Sequence, residues 1–156
     1  MRSPILRLHE FQSKRQLQKH NIPVALGEIA FTADDVYEYA KSLNRPVVIK
    51  AQVLSNNRKN SSGIAHAKTP EDAKEIAREM FSSKVQGFEV KQILVDPELA
   101  IQSKIYLGIT YDRTVGRPVL VASTDGGSAV EELARQEPGA VIRQYIKPIL
   151  GLRSYQ

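Results

Sequence analysis

The chain has 156 residues, of which 42% are hydrophobic and 25% charged, with a formal net charge of +5 and no cysteine. This composition predicts a soluble globular protein with a core of its own, as one domain or two small lobes, and excludes disulfides and thiol chemistry. The positive charge suits an anionic ligand. The alternative, since there is no long basic block, is that the charged side chains are spread over several solvated faces. Nucleic acid is not an expected partner. No apolar run approaches the ~20 residues of a membrane span, so no membrane is expected.

Helix and strand signals alternate through the first hundred residues. Thr32 and Thr69 each precede acidic residues and an apolar stripe, the pattern of a capped helix, and Pro70 suits a first helical position. The β-branched run Pro46–Leu54 predicts a central strand that contains Lys50. In chain order we predict a helix at 8–21, a strand at 27–31, a helix after 32, strands at 46–54 and 63–67, a helix at 69–83 and a strand at 88–95.

The remainder predicts a half-exposed strand at 103–113, a hairpin turn at 114–117 and a buried strand at 118–123. A glycine turn at 125–127, a helix and a final strand follow. Together these elements predict an α/β or α+β fold with mixed sheets.

Lys50 is the first candidate site residue, because it follows Val47-Val48-Ile49 near the end of the predicted central strand. A buried lysine is costly unless it faces an anion, and ligands of open α/β sheets lie at strand ends. The alternative is an edge strand from which Lys50 extends its ammonium into water.

The polar loop Ser55–Gly63 carries Asn57, Arg58 and Lys59. Backbone N–H groups and two cations suit a polyphosphate, although an exposed hairpin loop has the same composition. Asp96, after the next strand, could accept a hydrogen bond from a base or ribose, or could end a strand as a turn residue beside Pro97.

Six segments resemble one known family in order and spacing: "LHEFQSK", "PVVIKAQVL" with the loop after it, "GIAHAKTPEDA", "QILVDPELAIQSKIYLGITYDR", "PVLVASTDGG" and "LGLRSYQ". This family is the β subunit of ADP-forming succinate–CoA ligase, an ATP-grasp protein. The resemblance spans essentially the whole chain and less than half of the family's subunit.

The resemblance implies an ATP-grasp fold in which residues 1–20 and 101–156 build part of one lobe and residues 21–100 build the other. ATP or ADP would lie between the lobes. The complete enzyme would convert an acid, CoA and ATP into acyl-CoA, ADP and phosphate, together with an α subunit. The compartment would be the cytoplasm or the mitochondrial matrix.

Site residues follow from the same resemblance. Lys50 matches the family lysine that contacts the nucleotide phosphates, and residues 56–63 match its glycine-rich loop. Asp96 takes the place of a glutamate on the adenine side, and Leu99 lies where a backbone group meets the base. The resemblance therefore implies a nucleotide site made of Lys50, Asn57, Arg58, Lys59, Asp96, Leu99 and Lys104, without catalytic or metal-binding residues.

Several positions depart from the family. The family loop is close to Gly-Gly-Arg-Gly-Lys-Ala-Gly-Gly, and here only Arg58 and Gly63 keep their identity. Lys104 replaces a glutamate that faces the ribose. The family's Mg²⁺-binding carboxylate and asparagine would lie beyond Gln156, so Mg²⁺ is expected only in the complete enzyme. Two hypotheses follow: the nucleotide-binding part of such a ligase, not catalytic alone, or a degenerate ATP-grasp domain that serves as an interaction or structural subunit.

Overall fold

A computed structural model describes residues 7–54, 63–124 and 136–152. The chain divides into two compact units, residues 1–99 and 100–156. The elements of the first unit are α1 (Glu10–Lys19), β1 (Glu28–Ala30), α2 (Ala33–Leu43), β2 (Val47–Ala51), β3 (Ile64–Ala67), α3 (Pro70–Ser82), β4 (Lys84–Val85), β5 (Phe88–Glu89) and β6 (Ile93–Pro97).

The main sheet of the first unit has the strand order β1-β6-β2-β3. The mixed α/β fold class is confirmed, because helices and strands alternate along the unit. All neighbouring strands of the sheet are antiparallel, so the described strands contain no adjacent parallel pair. β2 is an interior strand between β6 and β3, and the edge-strand alternative for Lys50 is therefore wrong.

The hydrophobic core lies on one face of this sheet. Ile49 of β2 and Ile93 of β6 are fully buried in one cluster with Val36 of α2 and with Ala73 and Ala77 of α3. Because side chains alternate along a strand, the next residues of β2 and β6 point to the opposite face. That second face carries Lys50, Leu94 and Asp96, and α1 contacts it.

Both predicted capped helices form as expected. The hydroxyl oxygen of Thr32 accepts from the Asp35 amide at 3.1 Å, and that of Thr69 accepts from the Asp72 amide at 3.1 Å. Each bond satisfies an amide that has no partner within the helix. α2 ends at Leu43, and the capping residue Asn44 adopts the left-handed conformation, with φ of 48°.

The predicted strand at 88–95 is divided in the structure. β5 pairs with β4 as a short hairpin, and β6 begins at Ile93 and continues to Pro97. Asp96 is therefore a buried strand residue, and the interpretation of Asp96 as a strand-ending turn residue is wrong. Pairing with Val48 of β2 holds this position in the sheet despite the turn preference of Asp-Pro.

The second unit is described by itself and contains the sheet β7-β8-β9, with β7 (Tyr106–Asp112), β8 (Arg117–Ser123), a 3₁₀ turn (Pro138–Ala140) and β9 (Val141–Tyr145). The predicted hairpin turn joins β7 to β8, with Gly116 at φ 68°. The predicted glycine turn at 125–127 and the helix after it lie outside the described residues.

α1 makes its described contacts with residues of the first unit. Its Lys14 binds Asp96, and the amide of Phe11 donates to the side chain of Gln52. The assignment of residues 1–20 to one lobe with residues 101–156, and of 21–100 to the other, stays a prediction.

Candidate functional site

Four charged side chains meet on the second face of the main sheet. The Lys50 ammonium lies 2.8 Å from Oδ2 of Asp96 and 2.7 Å from Oε1 of Glu10. The Lys14 ammonium lies 2.5 Å from the same Asp96 oxygen and 3.6 Å from Glu10. We call these four residues the charge cluster.

Strand register explains why Lys50 and Asp96 meet. Asp96 pairs with Val48 and Leu94 pairs with Lys50, so Lys50 and Asp96 are diagonal neighbours on one face. A long lysine side chain spans that diagonal. The other two members, Glu10 and Lys14, stand one helical turn apart on α1 and therefore face the sheet together.

The cluster fixes the charge of Lys50. Partial burial lowers the pKa of Lys50, but hydrogen bonds to Asp96 and Glu10 outweigh that effect, and its pKa is raised above the ordinary value of 10.5. Lys50 is therefore an ammonium ion at neutral pH. Asp96 is almost fully buried, with its side chain 4% exposed, and two ammonium groups compensate the cost of that burial.

Polar contacts attach α1 to the sheet. None of its residues is buried. Besides the charge cluster, the side-chain oxygen of the buried Gln52 accepts from the Phe11 amide at 3.4 Å, at the N-terminus of the helix where amides lack intrahelical partners. Gln52 is itself held by a bond from its side-chain nitrogen to the Lys50 carbonyl at 3.2 Å.

Gly27 lies against the other oxygen of Asp96. A Cβ atom at position 27 would stand 2.1 Å from Oδ1 of Asp96 and 2.4 Å from the carbonyl oxygen of Val95. Only glycine fits there without a shift of backbone. Oδ1 of Asp96 is buried without a hydrogen-bond partner among the described residues. A buried carboxylate oxygen without a partner is costly, and Oδ1 remains an unused hydrogen-bond acceptor among the described residues.

A cavity of about 310 Å³ adjoins the charge cluster. Lys14 belongs to both, and Gly27, which lies against Asp96, lines the cavity, so the cavity is next to Asp96. Its walls combine aromatic and apolar side chains with cations of α1. The lining residues are Phe11, Lys14, Arg15, Gln18, Ala25, Leu26, Gly27, Glu28, Ile29, Tyr39 and Leu94.

The structure brings together two of the seven predicted nucleotide contacts, Lys50 and Asp96. Leu99 is exposed at the end of the first unit, and Lys104 is exposed in the second unit. Asn57, Arg58 and Lys59 lie outside the described residues. The role of each of the seven stays a prediction.

Glu10, Lys14 and Gly27 were not predicted as site residues. Glu10 and Lys14 lie within the "LHEFQSK" segment on which the resemblance depends, and their spacing of four on a helix was a usable signal. Gly27 carried no such signal, because its requirement comes from a contact with Asp96, which is distant in sequence.

Within residues 7–54, 63–124 and 136–152, no group of three or more His, Asp or Glu side chains is arranged to hold a metal ion. The helices in the same ranges are too short or too polar to cross a membrane.

Comparison with known families assigns the fold. The model of the ATP-grasp domain family matches residues 7–156. The chain therefore belongs to the ATP-grasp family, and the fold expected from the sequence is confirmed.

Curated relatives give a closer relationship. The chain is 37% identical over 150 residues to the succinate–CoA ligase [ADP-forming] subunit beta of Pyrobaculum arsenaticum, covering 96% of this chain and 39% of the relative. It is 35% identical over 151 residues to the same subunit of Haloarcula marismortui, covering 97% and 40%. The expected relationship to these β subunits is confirmed, and the chain spans about two fifths of their length.

Solved structures support the fold. PH1788 from Pyrococcus horikoshii matches with a TM-score of 0.71 and 24% identity, over 89% of this chain and 58% of that one. An acetyl-coenzyme A synthetase of Ca. Korarchaeum cryptofilum, in complex with coenzyme A and Ca-AMPCP, matches with a TM-score of 0.72 and 20% identity, over 88% and 59%.

Proposed function

We propose that the first unit binds an adenine nucleotide, ATP or ADP, with a phosphate on Lys50. One observation carries the proposal: Lys50 and Asp96, two of the nucleotide contacts implied by the sequence, converge within 2.8 Å on the sheet face opposite the core. ATP-grasp membership supports the ligand class, and the synthetase structure with Ca-AMPCP shows a nucleotide analogue in a protein of similar fold.

The charge of Lys50 suits a phosphate. Its raised pKa keeps the ammonium charged, and its half-buried position strengthens any charge-assisted hydrogen bond relative to one in water. Asp96 holds the side chain against the sheet from one side. The ammonium is therefore oriented before a ligand binds, which lowers the entropic cost of binding.

The cavity suits a flat aromatic ring. Its volume of about 310 Å³ is at the small end of ligand cavities. Phe11, Tyr39 and Leu94 offer apolar contact surface, and the unpartnered Oδ1 of Asp96 offers an acceptor nearby. We propose that the base enters this cavity and that the exocyclic amine of adenine donates to a group at its rim.

We further propose that the chain is the nucleotide-binding portion of a succinate–CoA ligase-type β subunit and is not catalytic alone. The relatives of Pyrobaculum and Haloarcula carry that name, and this chain matches about two fifths of each. An α subunit would then be the partner, Mg²⁺ would be held by the complete enzyme, and the reaction would belong to the tricarboxylic acid cycle. The cytoplasm or the mitochondrial matrix is the proposed compartment, since a chain without cysteine fits a reducing environment.

Calorimetric titration of ATP and ADP, each with Mg²⁺, tests the proposal. The variants are Lys50→Met and, as a matched control, Lys74→Met. Lys74 is also a partly buried, paired lysine, 29% exposed against 22% for Lys50, but it pairs with Asp34 on the helical side of the sheet. Losing one charge-assisted contact should weaken binding about tenfold or more in Lys50→Met. Equal affinities of the wild type and both variants would contradict the proposal.

A second function, a degenerate ATP-grasp domain acting as a structural subunit, is favoured by one surface of the second unit. Leu107 and Ile109 of β7 and Ile142 of β9 are 63%, 66% and 67% exposed. The register places them on one face of the sheet. An apolar face of this kind suits association with another protein. Sedimentation of the wild type and Ile109→Lys tests whether the partner is a second copy of the chain, since a monomer in both cases would argue against self-association through this face.

A further inference from the structure

The charge cluster is electrically balanced. Two ammonium groups, Lys14 and Lys50, face two carboxylates, Glu10 and Asp96. Both described hydrogen bonds of the Lys50 ammonium go to carboxylates. A phosphate that binds Lys50 therefore adds negative charge to a neutral group of four, and the like charges repel unless one carboxylate moves away.

The two carboxylates differ in their freedom to move. The side chain of Asp96 is 4% exposed, and Asp96 lies on the interior strand β6. Both lysines contact one of its oxygens. Glu10 is 42% exposed, stands in the first turn of α1 and has a longer side chain. Rotation of Glu10 into water costs little, because exposed ion pairs contribute only about 0–1 kcal/mol. Glu10 is therefore the carboxylate that can exchange.

The attachment of α1 depends on the same charges. None of its residues is fully buried, and its described hydrogen bonds and ion pairs to the sheet come from Glu10, Lys14 and the Phe11 amide. A helix attached through polar contacts is at the low end of local stability. An anion that displaces Glu10 thus changes one contact of the helix and leaves Lys14 on Asp96.

We propose that Glu10 and the anionic group of the ligand are alternative partners for the ammonium of Lys50, so that Glu10 limits the affinity of the site. The inference rests on the proposed nucleotide-binding function and adds a residue that sets its strength. Shortening the side chain of Glu10 or removing its charge leaves Lys50 available to phosphate, while the contact of Asp96 with Lys14 preserves the geometry of the site.

The test uses the 156-residue chain, titrated calorimetrically with ADP and separately with inorganic pyrophosphate. Glu10→Gln removes the charge, and Glu10→Asp keeps the charge but shortens the side chain. Glu71→Gln is the matched control, because Glu71 is also in a first helical turn, that of α3, on the other side of the sheet. Like Glu10→Gln, this variant removes one negative charge from the first turn of a helix.

We expect both Glu10 variants to bind ADP and pyrophosphate about fivefold more tightly, the value of one exposed ion pair, with Glu71→Gln unchanged. Tighter binding in Glu10→Gln and Glu71→Gln alike, but not in Glu10→Asp, would indicate an effect of net charge. That result would overturn direct competition between Glu10 and the ligand for Lys50. Wild-type affinity in both Glu10 variants would overturn the inference and leave the proposed function standing. Absence of binding in the wild type and in every variant would overturn both.

Discussion

The carboxylate of Asp96 and the ammonium of Lys50 lie 2.8 Å apart on the sheet face that the hydrophobic core does not use. They come from adjacent antiparallel strands, β6 and β2. Their contact makes the site and also stabilises the fold, because Asp96 is buried and needs its two lysines. Stability measurements can therefore examine the site without a ligand.

Removing one partner of this buried network should be expensive. We expect Asp96→Ala to lower the free energy of unfolding by about 3 kcal/mol, since it leaves Lys14 and Lys50 close together without their shared carboxylate. Glu10→Ala should cost less than about 1 kcal/mol, because Glu10 is exposed. Urea denaturation followed by circular dichroism measures both, and equal losses would contradict the burial argument.

Gly27 should not tolerate a methyl group. In Gly27→Ala the added carbon would collide with Asp96 and with the Val95 carbonyl, and a backbone shift would be needed to relieve it. We expect a loss of about 1–3 kcal/mol, typical of overpacking. Gly139→Ala is the control, because a Cβ there would meet nothing within 4 Å. If both variants unfold at the same urea concentration as the wild type, the close packing of Gly27 on Asp96 is wrong.

Lys50 should make stability fall at high pH. Its folded-state pKa is raised above the ordinary 10.5, so its contribution is complete below that pH and is lost as the pH rises through the folded-state value. The difference in free energy of unfolding between the wild type and Lys50→Met should therefore be constant below about pH 10.5 and become smaller as the pH rises above it. Tyr39, whose pKa is raised mainly by burial, titrates in both proteins and cancels in the difference. A difference that stays constant as the pH rises above about 10.5 would argue against the cluster.

The cap of α3 offers a test of the local structure. Thr69→Ala removes the acceptor for the Asp72 amide and should cost about 1 kcal/mol. Thr69→Ser keeps the hydroxyl and should stay close to the wild type. Thermal unfolding of the three proteins decides the matter, and an alanine variant as stable as the serine variant would show that the hydroxyl does not cap the helix.

Local signals predicted the helices well. The threonine caps and apolar stripes of α2 and α3 involve residues three or four apart, so short segments specify them. The central position of β2 followed from its β-branched run. The division of 88–95 into β5 and β6 could not be predicted from the local sequence, because it depends on the pairing of β6 with β1 and β2, which are distant in the chain.

The site was predictable only in part for the same reason. Lys50 and Asp96 were singled out by the resemblance, but their contact with Glu10 and Lys14 joins residues 40 or more positions apart. No local pattern specifies such a contact. The spacing of Glu10 and Lys14 indicated only that they share a helix face, not what that face would meet.

Nuclear magnetic resonance with ADP tests the central claim most directly. In a ¹H–¹⁵N spectrum of the labelled chain, a nucleotide on the charge cluster should shift the amide signals of Gly27, Lys50 and Leu94 saturably. The signals of Ala73 and Ala77, which are buried on the other face of the sheet, should stay in place. Saturable shifts confined to the α2–α3 side, or no saturable shift at all, would contradict the account.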